Sequence, residues 1–207
     1  MKTDVSPWLI QYAEESVFSF YRGVDPAHDE SHIRTVIGNA LSLASTLEVD
    51  IDMVYCIALF HDIGIRFGRE DHEITSARHL ESEPIVRAHF SAEQIHVMKE
   101  AVEDHRASSS HPPRSIYGCV IAEADRDLDP TRILRRSLDF ARAHHEDASE
   151  EELVQISAHH IAEKYGPNGY LKLYLHDPRN EQGLATLRSY VKDGSLAGRL
   201  RALLTEK

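Results

Sequence analysis

Thirteen consecutive residues, Asp50 to Asp62 (DIDMVYCIALFHD), are apolar almost all round the helical wheel and end on a histidine and a carboxylate. A helix without a polar face must be enclosed by other elements. The segment therefore predicts a central buried helix over about 50–62, stopped by Ile63-Gly64. Its polar end sets a problem. A carboxylate beside an imidazole is costly to bury unless hydrogen bonds or a cation offset the lost hydration. A His-Asp pair alone does not choose between those two solutions.

The rest of the chain also reads with helical period. Apolar positions Trp8, Leu9, Tyr12, Val17, Phe18, Phe20 and Tyr21 predict an amphipathic helix over 7–22. Asp25-Pro26 fits the start of a helix to about 47. Further helices are expected over about 69–82, from Ser91 to about Arg106, over 114–128, from Asp129-Pro130 to about 145, over 149–165 and over 180–204. Ser91 with Gln94 three residues on matches a capping box. GPNGYLKLYLHDPRN separates the last two helices. No useful strand alternation, internal repeat or low-complexity tract is visible, so the expected class is all-α.

Composition narrows the function. The 207 residues are 42% hydrophobic and 28% charged, which suits a soluble globular chain. No apolar run approaches the roughly 18 residues needed to span a bilayer, and the start MKTDVSPWLIQYAEESVFSF lacks the layout of a signal peptide. A cytoplasmic location without membrane partners is expected. A net charge of −11 argues against nucleic-acid binding, which needs a basic field. It leaves room for a small phosphorylated substrate, because bound dications invert the local field. Cys56 and Cys119 lie in apolar stretches and read as buried thiols without zinc-ligand spacing.

Of the fourteen histidines, a few stand where chemistry is expected. His28 and His32 are four residues apart and share a face if both are helical. His32 is the preferred ligand because it sits deeper in the apolar stretch, with His28 as a helix-start or supporting residue. Asp125 follows the apolar face of 114–128 and should point inward, whereas Asp127 and Asp129 belong to the helix end. His32, His61, Asp62 and Asp125 together would form a mixed nitrogen and oxygen shell with open positions for water and substrate. The remaining histidines show no convergent pattern.

A histidine on one helix, a His-Asp pair ending the next and the segment Ala124-Asp125-Arg126-Asp127-Leu128-Asp129 resemble, in that order, the HD superfamily over roughly residues 26–130. The resemblance implies an all-α HD-domain helical bundle, bound divalent metal and phosphoester hydrolysis. On this reading residues 1–207 are a single HD domain, its metal-binding core at about 26–130 and its supporting helices, a C-terminal extension, at about 131–207. His72-Glu73-Ile74-Thr75-Ser76-Ala77 resembles a helix start of the two-metal branch, and His105 that branch's later histidine, as in HD-type dinucleoside polyphosphate hydrolases. By that resemblance one ion is held by His32, His61, Asp62 and Asp125, and a second shares Asp62 and adds His72 and His105. The short loop between Asp62 and His72 departs from many two-metal relatives and leaves a one-metal site open.

The expected function is a metal-dependent phosphohydrolase acting on a small molecule, a nucleotide by preference, through metal-activated hydroxide. Asp62, His61, Arg66 and Arg106 are the expected catalytic group, the arginines because guanidinium suits phosphate oxygens. Arg66, Arg106 and Arg126 each also read as surface or salt-bridge residues, the more ordinary role for an arginine. One or two divalent ions (Fe, Mn, Co, Ni, Zn or Mg) are expected; metal identity, substrate and oligomeric state are not readable. A mixed-valent di-iron oxygenase and a non-catalytic metal-binding regulatory module are the other classes. Lys164-Tyr165-Gly166 and Gly169-Tyr170 read as a packed turn, with a cap over the pocket as the alternative.

Overall fold

In a computed structural model, which describes residues 4–24 and 28–205, the buried helix of the sequence is α3 in a set of eleven. Among the described residues there is no strand. The chain divides into two compact units, one ending at Asp125 and the other beginning at Arg126.

The first unit opens with α1 (Pro7–Tyr12), which runs into a π-helical turn over Ala13–Val17 and a 3-10 turn over Phe18–Tyr21. The sequence predicts one regular helix here. The buried residues Leu9, Ala13, Val17 and Tyr21 are spaced strictly by four. A 3.6-residue helix would rotate them progressively off the core, and the wider π turn restores the phase. Next come α2 (Glu30–Ala44), α3 (Ile51–Phe60), a 3-10 turn over Ile63–Phe67, α4 (His72–Ser82), α5 (Pro84–His89), α6 (Ala92–Asp104) and α7 (Ile116–Ala124). The expected start at Asp25-Pro26 falls outside the described residues. Instead Asp29 caps α2, accepting from the backbone N–H of Ser31 at 2.9 Å and His32 at 3.0 Å. His28 thus precedes the helix and shares no helical face with His32. α5 was not foreseen, although Pro84 at its first turn is a start signal.

α3 is the axis of this unit. Every residue from Met53 to Phe60 is buried, and α2, α4, α6 and α7 pack around it. Each large side chain enclosed there contributes about 1.5–3 kcal/mol. Tyr21 Oη donates to the Leu59 carbonyl at 2.7 Å, satisfying one acceptor in the last turn of α3. Asn39 Nδ2 donates to the Ala124 carbonyl at 3.1 Å and ties α2 to the end of α7. The Ser91–Gln94 capping box is present at α6. Cys56 is buried but Cys119 is only half-buried, against expectation.

The second unit contains α8 (Pro130–His144), α9 (Glu150–Tyr165), α10 (Pro178–Lys192) and α11 (Leu196–Thr205). α9 packs against the other three. The sequence reads α10 and α11 as one helix. Gly194, at φ +75°, breaks it where Asp193 Oδ1 accepts from Ser195 N–H at 2.8 Å. The Gly166–Gly169 segment is a packed turn closing α9: Tyr170 and Leu171 N–H donate to the carbonyls of Glu163 and Lys164 at 3.2 and 3.0 Å. No helix among the described residues is long and apolar enough to cross a membrane.

Candidate metal centre

The six histidines and aspartates singled out in the sequence lie at helix ends. His32 is in the first turn of α2, His61 and Asp62 follow α3, and His72 opens α4. His105 and Asp125 are the residues that cap the C-termini of α6 and α7. These ends converge. His32 Nε2 lies 3.2 Å from Asp125 Oδ1 and 3.5 Å from Asp62 Oδ2. His61 Nε2 lies 3.3 Å from Asp62 Oδ2 and 3.6 Å from Asp125 Oδ1. The other carboxylate oxygen of Asp62, Oδ1, faces a different pair: His72 Nε2 at 3.3 Å and His105 Nε2 at 3.5 Å. Two ligand groups result, with Asp62 common to both. Donors held at about 2.0–2.2 Å from one cation stand about 3–3.6 Å apart, the spacing seen in each group.

The donor chemistry fits cations. His61 Nδ1 donates to the Ala58 carbonyl at 2.9 Å, His72 Nδ1 to that of Arg69 at 3.0 Å, and His105 Nδ1 to that of Val102 at 2.6 Å. With the proton on Nδ1, each Nε2 offers a lone pair, the tautomer a metal needs. His72 Nε2 and His105 Nε2 then face one another at 3.2 Å, an arrangement that requires a positive charge between them. The Nε2 atoms of His32 and His61 are buried without a well-directed hydrogen bond. Asp125 retains 29% side-chain exposure, so its side of the cluster is the open one.

Gly64 explains how α4 comes close enough to deliver His72. A Cβ at this position would lie 2.4 Å from the His72 carbonyl oxygen and 2.8 Å from Ser76 N. Gly64 N–H donates to the buried Ser76 Oγ at 2.9 Å. The glycine was legible as a helix stop, but its role as the seat of α4 was not. Glu73 was also missed. Its carboxylate takes Arg106 Nη1 at 3.0 and 3.2 Å and lies 3.4 Å from His72 Nδ1. Arg66 Nη1 donates to the Phe20 carbonyl at 3.0 Å. Arg126 lies in the second unit, over the Tyr174 ring.

The family model that matches is the HD domain, over residues 30–128. A solved structure also resembles the chain, that of a predicted HD superfamily hydrolase from an uncultured Thermotogales bacterium. It has 23% sequence identity, a TM-score of 0.49, and coverage of 72% of this chain and 81% of that one. No curated protein matches the chain significantly. The match to the HD domain supports a metal-dependent hydrolase in general, with divalent metal as its cofactor.

The charge balance of the cluster has a pH consequence. In metal-free protein, burial presses the charged forms of His32, His61 and His72 down, but the facing carboxylates outweigh it. His32 is raised from 6.5 to about 9, and His61 and His72 are raised as well. Burial pushes Asp62 and Asp125 up, yet the histidines hold both well below the usual carboxylate range. The stabilisation from a raised histidine is complete below its ordinary value and lost as pH rises through the folded one. Metal has to displace these protons. Metal affinity is therefore expected to rise steadily from pH 6.5 to about 9, while the metal-free protein loses stability over the same interval. Metal titrations and melting curves at stepped pH check this; a flat affinity profile would contradict it.

Proposed function

We propose that the chain is a metal-dependent phosphohydrolase with a dinuclear centre, cleaving a phosphoester or phosphoanhydride of a small molecule, most suitably a nucleotide. One observation carries the reading: Asp62 turns Oδ2 toward His32 and His61 and Oδ1 toward His72 and His105. A carboxylate that serves two histidine groups is suited to bridge two cations. His32, His61, Asp62 and Asp125 would hold one, and Asp62, His72 and His105 the other. Divalent ions bound there would supply Lewis acidity and acidify water for attack on phosphorus.

The chain's own groups do the positioning. The three Nδ1–H donors fix their imidazoles with Nε2 turned inward. Arg106, which follows His105 and pairs with Glu73 beside His72, is the first candidate for charge that builds on the phosphoryl oxygens. Only its Nη1 is engaged by Glu73, leaving Nε and Nη2 for an incoming anion. Arg66, braced on the Phe20 carbonyl, is a second cation for the substrate's phosphates. The helices after about 131 act as support.

Hydrolysis uses redox-inert metal and ignores oxygen, whereas an oxygenase needs iron and consumes it. Under strict anaerobiosis, with Mn²⁺ or Co²⁺, the protein is expected to release phosphate or a nucleoside from a nucleotide panel. If no phosphoester is cleaved with any divalent metal while the iron form consumes oxygen with a small polyol or phosphonate, the chain is an oxygenase.

A further inference from the structure

Two cavities open on the first unit, and they differ in how their charges are used. One, of about 330 Å³, is lined in part by Glu73, Glu103, Arg106 and Arg114. Its acids and bases largely satisfy one another. Arg114 alone is held by Asp104 Oδ1 at 2.9 Å, Glu103 Oε2 at 2.8 Å and the Glu100 carbonyl at 2.9 Å. The other, of about 480 Å³, is lined among the described residues by Arg22, Gly23, Val24, Ile65, Arg66 and Arg69. Among the described residues it holds three guanidinium groups and no carboxylate.

These arginines have no ion-pair partner among the described residues. Arg66 spends one N–H on the Phe20 carbonyl, and Arg69 Nη2 approaches His28 Nε2 at 3.5 Å. Glu70 and Asp71 follow Arg69 directly, yet neither forms an ion pair with any of the three. In a chain of net charge −11, three exposed arginines crowded without counter-charge repel one another. That repulsion is relieved by a bound anion.

The cavity also adjoins the metal centre. The Arg69 carbonyl accepts from His72 Nδ1 at 3.0 Å. The His28 ring beside Arg69 stands 6.0 Å from the ring of His32. Arg66 is four residues beyond Asp62, in the 3-10 turn that continues from it. The arginines thus border both ligand groups. A volume of this size suits a small ligand, and several guanidinium groups on separate segments suit several phosphates better than one.

We propose that Arg22, Arg66 and Arg69 form a second anion site that holds the distal phosphates of a polyphosphate-bearing substrate while its scissile group lies at the metals. The identity of that substrate rests on the phosphohydrolase reading; the anion site itself does not. Arg22 and Arg69 side chains touch no proposed metal ligand, so Arg22→Gln and Arg69→Gln separate this site from the metal centre.

The test is titration calorimetry of the metal-loaded protein with inorganic tripolyphosphate and orthophosphate at one fixed free-metal concentration. Metal content is measured in the same samples. Tripolyphosphate is expected to bind at least about tenfold more tightly, in line with added charge-assisted contacts. Arg22→Gln and Arg69→Gln should each erase most of that preference. Arg142→Gln, which removes an equal charge at an exposed position of α8, should leave it intact. Equal binding of the two anions, an unchanged preference in both cavity variants, or an equal loss in Arg142→Gln overturns the proposal. If the preference behaves as expected but no phosphoester is hydrolysed, the anion site stands and the phosphohydrolase reading falls.

Discussion

Asp62→Ala should leave the protein without tightly bound metal and without turnover. The carboxylate is 3% exposed, and each oxygen faces a separate histidine group. Its removal takes one ligand from both groups and the negative charge that both need. Four imidazoles and Asp125 remain, too cationic once protonated to attract a dication. Loss of a supporting hydrogen bond around a metal costs about 10–100-fold in affinity, and removal of a shared ligand should exceed that. His72→Ala and His105→Ala remove donors from one group only. They should lower metal content by up to one ion per chain while the first group stays partly filled. Elemental analysis of the three purified variants gives the result directly. Full occupancy in Asp62→Ala would sink the assignment of the bridge.

Gly64→Ala is expected to damage the centre without touching a ligand. The added methyl meets backbone at 2.4 and 2.8 Å, and Ser76 Oγ at 2.9 Å. The two closest are backbone atoms, which cannot swing aside as a side chain can. α4 has to move, and His72 is its first residue. Overpacking of this kind costs about 1–3 kcal/mol, and the damage falls on the group containing His72 and His105. Denaturant midpoints should shift accordingly, and the metal-loaded variant should retain the ion at His32, His61 and Asp125 while losing the other. Gly198→Ala, in α11 with no atom within 4 Å of the new methyl, is the control. It should be neutral or gain up to about 1 kcal/mol from helix propensity. A Gly64→Ala protein with full stability and both ions would mean that α4 has slack the structure does not suggest.

The histidines and aspartates that cluster were legible because their local setting is abnormal for their chemistry. His61-Asp62 ends a helix apolar on every side, and Asp125 follows a buried face, so each polar group demanded a partner. What the sequence withheld was the partner's address. Glu73 and Arg106 are 33 residues apart, and nothing local joins them. The same holds for the Asp62 oxygens, whose division between two histidine pairs exists only once four helix ends meet. Helix type was read well from periodicity, but breaks were read poorly where the signal was short. Asp193-Gly194-Ser195 parts α10 from α11, and Pro84 starts α5. The four-residue spacing of Leu9, Ala13, Val17 and Tyr21 calls for a π turn, which a 3.6-residue template does not contain. Unpaired arginines are the hardest class to read, because the lack of a partner is a property of the folded surface.

The carbonyls that hold three of the histidines share one feature: Ala58, Arg69 and Val102 each stand three residues before the histidine they serve. Each ring is therefore oriented by its own stretch of backbone before any other segment arrives. Freezing a free side chain onto a cation would cost rotamer entropy. Here that loss is met during folding of the individual helix ends and not at the moment of metal capture. Metal exchange should accordingly proceed with little reordering of these side chains, and the heat of binding should reflect desolvation and proton release more than conformational change.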